Sequence, residues 1–142
     1  ITHKNSSNLS DFVDTSIKQK NSIYLDEKSK YFRFISDKAP LERKNCLFQL
    51  RRTEVRGPLV NKCPTLTANM GTGGHNVPFI FDDFGLRRLS VEEVSRLQGY
   101  SGSFAFPDEL SDSAKLKMIG NSVDPEVIAW LAGPILEDLK RL

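Results

Sequence analysis

The strongest constraint on the fold is a short helix that the sequence delimits at both ends. Ser90 is a favourable N-cap, because its hydroxyl can accept a hydrogen bond from the backbone amide of Glu93. Glu93 can bond the Ser90 amide in return and so complete a capping box. Gly99 suits the left-handed position that follows a last helical turn. We therefore predict a helix of about two turns here, and so short a helix is stable only when it packs against another element.

Two short strands are predicted before this helix. Residues 47–55 have strand-like character, and Gly57-Pro58 is the predicted turn after them. Residues 78–81 form the second candidate strand, after which Gly85 is expected to turn the chain into the helix.

Between the candidate strands lies a glycine-rich segment, residues 63–77, which is nearly free of bulky side chains. Such a run offers too little apolar surface to form a core. Glycine allows close backbone approach, and threonine and asparagine offer donors and acceptors, so the segment suits contact with another polymer. The candidate contact residues are Thr65, Leu66, Thr67, Asn69, Gly71, Gly73, Gly74 and His75. A flexible surface loop is the alternative interpretation.

Basic residues are concentrated just ahead of this segment, although the net charge is only +2. Residues 41–62 hold six basic and two acidic side chains, whereas residues 105–142 hold seven acidic and four basic ones. Arg51, Arg52 and Arg56 are therefore candidates for contacts with nucleic-acid phosphates or guanine edges. A solvated charge run, or pairing with a neighbouring glutamate, is the alternative.

Two helices are predicted at the end of the chain. The first is capped by Ser111 or Asp112 and ends at Gly120, and either Asn121 or Ser122 suits the N-cap of the second. The second carries an apolar stripe at helical spacing, formed by Val127, Ile128, Leu131, Ile135, Leu139 and Leu142.

The apolar stripe has no obvious cover within this chain, because the glycine-rich segment offers little apolar surface. We expect it to dock on another domain, and the isolated chain to self-associate through it. Gly133-Pro134, which interrupts the stripe, is expected to kink or break the helix.

Three runs of the sequence resemble motifs of the DNA cytosine-5 methyltransferases. Residues 88–100 resemble that family's ninth motif, which combines an arginine, a Leu-Thr/Ser cap, a glutamate and Arg-Leu-Gln-Gly-Phe/Tyr. Residues 120–123, Gly-Asn-Ser-Val, are similar to its tenth motif. Residues 63–78 are similar to a run in the target-recognition region of many bacterial members. Because the three occur in the family's order, the chain resembles the C-terminal part of such an enzyme.

The resemblance implies an α+β fold in three parts. Residues 1–22 are expected to be a connector, and residues 23–87 a small, irregular, mostly β target-recognition domain that binds DNA. Residues 88–142 are expected to supply helices that pack on a Rossmann-like α/β methyltransferase domain outside this chain.

The resemblance also implies a function for the chain as a fragment or small subunit of an enzyme. It would recognise double-stranded DNA and complete the cofactor site of a catalytic domain or large subunit. The whole enzyme would transfer a methyl group from S-adenosylmethionine to C5 of a flipped cytosine, in the manner of restriction-modification systems. The alternative is a non-enzymatic, sequence-specific DNA-binding module that keeps only the recognition domain.

Individual roles follow from the same resemblance. The tenth motif contacts the methyl donor in this family, so Asn121 and Ser122 are expected at the cofactor, with helix capping as the alternative. The ninth motif mainly organises the recognition region, and an ion pair between Glu93 and Arg96 is expected within its helix. The residues assigned a structural role are Arg88, Ser90, Glu93, Arg96, Gln98, Gly99 and Gly120.

The sequence lacks the family's nucleophile motif. The reaction needs a cysteine thiolate that adds at cytosine C6, and the family carries it in a Pro-Cys-Gln motif, with a Phe-x-Gly-x-Gly motif for the cofactor. Neither motif occurs here, because Cys63-Pro64 reverses the order and Cys46 lies in a strand-like run. We therefore predict no catalytic residue in this chain and no activity for the chain alone.

Composition excludes several other classes. Of the 142 residues, 39% are hydrophobic and 27% charged, which is typical of a globular domain but short for a complete enzyme of this kind. No apolar run approaches the ~20 residues needed to cross a bilayer. The two cysteines and two histidines lack metal-ligand spacing, so a reduced, cytoplasmic protein without metal is predicted, with a disulfide as the alternative. A start at Ile1 suggests excision from a longer polypeptide.

Overall fold

A computed structural model describes residues 8–39, 45–52, 54–72 and 75–141. It shows an α+β fold, as the sequence predicts. The strands are β1 (Cys46–Leu50), β2 (Val55–Val60), β3 (Val77–Asp82) and β4 (Gly85–Arg88), and the helices are α1 (Lys30–Ser36), α2 (Val91–Leu97), α3 (Asp112–Asn121) and α4 (Pro125–Leu139). Three short 3-10 turns span Leu9–Asp11, Asn21–Ile23 and Met70–Thr72. The strands form one antiparallel sheet in the order β2-β1-β3-β4.

The sheet buries a different core on each face. Leu47 and Ile80 belong to one hydrophobic cluster, and their chain neighbours Phe48 and Phe79 belong to the other, because successive side chains of a strand point to opposite faces. The first cluster also takes in apolar residues of α2 and α3 and the N-terminal residues, including Leu9 and Val13. The second cluster contains Ile35 of α1. The glycine-rich segment packs on the first cluster through Met70, and α3 does so through Ile119.

The first hairpin differs from the sequence prediction. β1 ends at Leu50 and β2 begins at Val55, so Gly57 and Pro58 lie inside a strand and are not the turn. The pairing register shifts between Leu47 and Gln49, which is the signature of a β-bulge. β2 is the edge strand, a position in a sheet where proline is tolerated. A Cβ on Gly57 would lie 2.9 Å from the Leu47 carbonyl oxygen, so this close approach requires glycine.

The α2 prediction is confirmed. The Ser90 hydroxyl accepts from the Glu93 amide at 3.3 Å, and Glu93 Oε2 accepts from the Ser90 amide at 2.8 Å. Gly99 follows the helix with φ of 86°, the left-handed conformation that glycine adopts without strain. Gly85 does not lead directly into this helix, however, because residues 85–88 first form β4.

The two C-terminal helices are present, but the cap of α4 differs from the prediction. Ser111 caps α3. Asp124, and neither Asn121 nor Ser122, caps α4 by accepting a hydrogen bond from the Glu126 amide at 2.8 Å. Ser122 instead follows the last turn of α3.

α4 runs unbroken through Pro134, so the predicted break is wrong. A proline removes one backbone hydrogen bond, but α4 has no buried residue, and the carbonyl left over can bond water. Within the described part of the chain, no helix has the length and apolar character needed to span a membrane.

Candidate nucleic-acid interface

The structure joins two of the predicted contact regions through a side-chain hydrogen bond. Arg52 lies in the turn after β1, and its Nε donates to Nε2 of His75 at 3.3 Å, across 23 positions of sequence. Arg51 and Arg52 are exposed in this turn, and Arg56 is exposed on β2. The Arg51 amide donates to the Glu54 carbonyl at 2.8 Å, so the glutamate contributes to the turn through its backbone. The basic turn and the end of the glycine-rich segment therefore form one surface.

A buried glutamine, which the sequence reading did not single out, holds the two ends of the glycine-rich segment. Gln49 is only 3% exposed, and its Nε2 lies within hydrogen-bonding distance of the Thr65 carbonyl (3.5 Å) and the Asn76 carbonyl (3.4 Å). The Asn76 amide in turn donates to the Leu50 carbonyl at 2.8 Å. In the sequence, Gln49 is noticeable only as a polar residue inside an otherwise apolar strand. That position does not indicate which groups it bonds.

The glycine-rich segment lies directly on α3, with a glycine on each side of the contact. A Cβ on Gly71 would lie 3.0 Å from the Ser113 carbonyl oxygen and 3.1 Å from Leu116 Cβ. A Cβ on Gly120 would overlap the peptide between Thr67 and Ala68. The segment therefore approaches the α3 backbone closely at Ser113 and at Gly120.

The prediction that this segment buries no core is wrong, because Met70 is only 2% exposed and belongs to the first hydrophobic cluster. Leu66 is partly buried against the same cluster. One large apolar side chain at the start of a 3-10 turn is enough to anchor an otherwise polar segment.

The remaining polar candidates make bonds within the segment. The Thr67 hydroxyl bonds Asn69 Oδ1 at 2.6 Å, and the Thr72 hydroxyl donates to the Asn69 carbonyl at 2.8 Å. Thr65 and Asn69 are exposed. Gly73 and Gly74 lie outside the described residues. A DNA contact by any of these residues remains a prediction.

The two residues predicted at the cofactor lie beside the same contact. Asn121 is the exposed last residue of α3. Ser122 donates both its hydroxyl and its amide to the Ile119 carbonyl, at 2.6 and 3.0 Å. Ile119 is 1% exposed and shares the first cluster with Met70. The glycine-rich segment and residues 121–122 are therefore close together, because Gly120 contacts the segment and directly precedes Asn121.

Comparison with known proteins decides the family. The family model for C-5 cytosine-specific DNA methylases matches residues 2–137. The chain belongs to this family. The resemblance seen in the sequence is thereby confirmed.

Two curated methylases are similar to the chain. Type II methyltransferase M.Bsp6I of Bacillus sp. (strain RFL6) is 37% identical over 139 residues, which are 98% of this chain and 42% of that protein. Type II methyltransferase M.HgiBI of Herpetosiphon aurantiacus is 46% identical over 54 residues, which are 38% of this chain and 12% of that protein. The chain thus spans less than half the length of these relatives. No solved structure matches it.

In this methylase chain, Glu93 of the ninth-motif helix pairs with Arg87 of β4. It does not form the predicted pair with Arg96 of its own helix. Arg87 Nη1 and Nη2 bond the two Glu93 carboxylate oxygens at 2.7 and 2.9 Å, and its Nε bonds Asp82 at 2.6 Å. Desolvation alone would lower the pKa of Arg87, but the bonds and charges of Glu93 and Asp82 outweigh it and raise that pKa overall. Arg88, to which a structural role was assigned, donates to the Ser22 carbonyl at 2.9 Å.

The N-terminal residues complete this buried network. The Tyr24 hydroxyl donates to Asp82 at 2.7 Å, and Arg87 Nη2 donates to the Asp14 carbonyl at 3.2 Å. Burial, followed by the bond to Asp82, raises the pKa of Tyr24. Residues 14–24, β3, β4 and α2 are therefore held together by one charged centre.

The pKa of both cysteine thiols in this methylase chain is raised. Cys46 is 1% exposed in β1, and burial raises the pKa of its thiol. Cys63 donates to the Pro64 carbonyl at 3.2 Å, and desolvation raises the pKa of its thiol to about 11. Thiols with raised pKa values hold little thiolate at neutral pH. No disulfide joins the two, and no group of three metal-ligand side chains occurs among the described residues.

Proposed function

We propose that this chain is the DNA target-recognition and cofactor-site-completing portion of a DNA cytosine-5 methyltransferase. The complete enzyme would transfer a methyl group from S-adenosylmethionine to C5 of a flipped cytosine in a specific duplex sequence. In this proposal, the basic turn and the glycine-rich segment bind DNA, and α3 presents Asn121 and Ser122 to the cofactor. α4 then docks on the catalytic part.

The observation that carries the proposal is a series of contacts that joins three separate sequence regions. The bond from Arg52 to His75 brings the basic turn to the glycine-rich segment. The close approach at Gly120 brings that segment to α3. Arginine provides long-range attraction and planar donors for phosphates or guanine, and the segment provides hydroxyl and amide groups at short range.

The residues at the end of α3 fit a cofactor such as S-adenosylmethionine in chemical type. That cofactor supplies the methyl group of the reaction. Asn121 is exposed, so its carboxamide can donate to and accept from polar groups of a ligand. The hydroxyl of Ser122 donates to the Ile119 carbonyl, which leaves its oxygen able to accept a second bond. Both residues would bind and orient the cofactor without a chemical role.

Arg52→Ala is expected to weaken binding of the complete enzyme to its preferred duplex by about 1–3 kcal/mol and to relax preference at one base pair, if Arg52 reads a base. If Arg52 contacts only phosphate, affinity should fall similarly on all sequences, and the slope of log K against log salt should shrink by about one. Fluorescence anisotropy with preferred and scrambled duplexes, over a salt series, distinguishes the two results.

Arg33→Ala is the matched control for this experiment, because Arg33 is also exposed but lies on α1, which packs on the other face of the sheet. It should leave affinity and salt slope unchanged. Equal behaviour of the Arg52 and Arg33 variants would mean that the turn carries only a solvated charge.

The exposed apolar face of α4 favours an enzyme subunit over a free-standing DNA-binding module. Val127, Leu131 and Ile135 are 46%, 49% and 60% exposed, and α4 has no buried residue. Exposed, contiguous apolar patches mark interfaces or promote association. Its proposed cover is the catalytic part of the enzyme.

The isolated chain is expected to self-associate through this face, and Leu131→Asp should return it to a monomer. Sedimentation velocity over a concentration series measures the change. Phe84→Asp is the matched control, because Phe84 is 50% exposed but lies in the turn between β3 and β4. A monomeric wild-type chain, together with a Leu131→Asp variant that unfolds, would show that the stripe belongs to the chain's own core.

A further inference from the structure

The contact at Gly120 links two sites that the proposed function keeps separate. On one side lies the peptide between Thr67 and Ala68, in the segment proposed to bind DNA. On the other side, Asn121 and Ser122 follow Gly120 directly in the chain. The atoms that a Cβ on Gly120 would overlap belong to backbone, so they move only if the segment or the helix moves.

The glycine-rich segment is held over most of its described length. Gln49 bonds both ends of the segment, and Met70 anchors its centre in the core. Gly71 lies against α3, where a Cβ added to it would be 3.0 Å from the Ser113 carbonyl oxygen. A displacement of the segment at Thr67 is therefore transmitted to the helix and is not absorbed by a loose loop.

The segment is also linked to Ser122 through the hydrophobic core. Met70 and Ile119 are both buried in the first cluster, and the Ile119 carbonyl accepts both bonds from Ser122. Met70 of the segment and the residue that holds Ser122 therefore lie in one core.

We propose that Gly120 is a positioning residue that couples DNA binding to cofactor binding in the complete enzyme. The inference rests on the proposed function. Because the segment and the last turn of α3 move together, DNA that selects one position of the segment also selects the position of Asn121 and Ser122 that the cofactor needs, and the reverse holds equally. The coupling is positive because both ligands select the arrangement in which the segment lies on Gly120.

The test is a coupling measurement on the complete methyltransferase, with this chain joined to its catalytic part. The dissociation constant of S-adenosylmethionine is measured by calorimetry with and without a duplex that the wild-type enzyme selects from a randomised pool. We expect the duplex to lower the wild-type constant by about fivefold or more, a typical allosteric coupling. In Gly120→Ala, the dissociation constants of S-adenosylmethionine with and without the duplex should agree within about twofold.

Thermal unfolding of the wild type and of Gly120→Ala measures how much stability the substitution costs, which separates a positioning role from a merely structural one. Alanine is the better helix former by about 1 kcal/mol, so Gly120→Ala damages the protein only through the overlap with the segment. A general loss of folded protein would weaken both ligands together but would leave the coupling ratio unchanged. Gly102→Ala is the control, because an added Cβ there meets nothing within 4 Å. It should keep the wild-type ratio.

Gly71→Ala decides the question if Gly120→Ala does not fold, because its contacts of 3.0–3.1 Å need only a small adjustment. A reduced ratio in Gly71→Ala supports the proposal. A wild-type ratio in a folded Gly120→Ala or Gly71→Ala enzyme overturns it, as does a wild-type enzyme that binds both ligands without coupling. A wild-type enzyme that binds neither ligand refutes the proposed function itself.

Discussion

Arg87→Met is expected to lower the free energy of unfolding by about 3–5 kcal/mol, because it leaves two buried carboxylates without their cation. Arg87 and the Asp82 side chain are 0% exposed, and the Glu93 side chain is 1% exposed. Many domains have only about 5–15 kcal/mol of stability in total, so this loss is a large fraction of it. Urea denaturation followed by circular dichroism measures the change.

Arg88→Met is the matched control for this experiment. Arg88 is the adjacent residue of the same strand, but it is partly exposed and makes one bond to the Ser22 carbonyl. Its replacement should cost about 1 kcal/mol or less. Equal losses in the two variants would show that the Arg87 network contributes nothing beyond a surface hydrogen bond.

The isolated 142-residue chain should transfer no methyl group above background from labelled S-adenosylmethionine to duplex DNA. Neither of its cysteines holds appreciable thiolate at neutral pH, because the pKa of each thiol is raised. Joining the chain to the part of Type II methyltransferase M.Bsp6I that it does not match should raise the rate by several orders of magnitude.

Two variants control the restored activity. Leu131→Asp should abolish complementation when the two parts are supplied as separate polypeptides, because it places a charge in the proposed docking face. Phe84→Asp should not abolish complementation, because Phe84 has similar exposure but lies in the turn between β3 and β4. Turnover by the isolated chain would contradict the assignment of the nucleophile to another part of the enzyme.

Features set by neighbouring residues could be predicted from the sequence. The capping box of Ser90 and Glu93 and the left-handed Gly99 depend only on residues within α2 and next to it, and both features are observed. The strand before the Asp82-Asp83 pair and the Ser111 cap are local in the same sense. The sequence motifs also pointed to the correct family.

Features set by distant residues could not be predicted. Arg87 reads as one of two adjacent arginines, and only the pairing of β3 with β4 shows that it faces the core. Gly57-Pro58 reads as a turn until the neighbouring strand and its bulge are known. Gln49 resembles an ordinary polar strand residue until the ends of the glycine-rich segment are brought to it.

The buried network also sets an order of events during protein synthesis. Asp14 and Tyr24 emerge from the ribosome well before their partners, because the bond from Arg87 to Asp14 spans 73 positions and that from Tyr24 to Asp82 spans 58. At roughly 5–20 residues per second, a gap of 73 residues means a wait of about 4–15 s. Leu9 and Val13 likewise emerge before the α2 and α3 residues of their cluster, so this core is completed only after Ile119 has been synthesised.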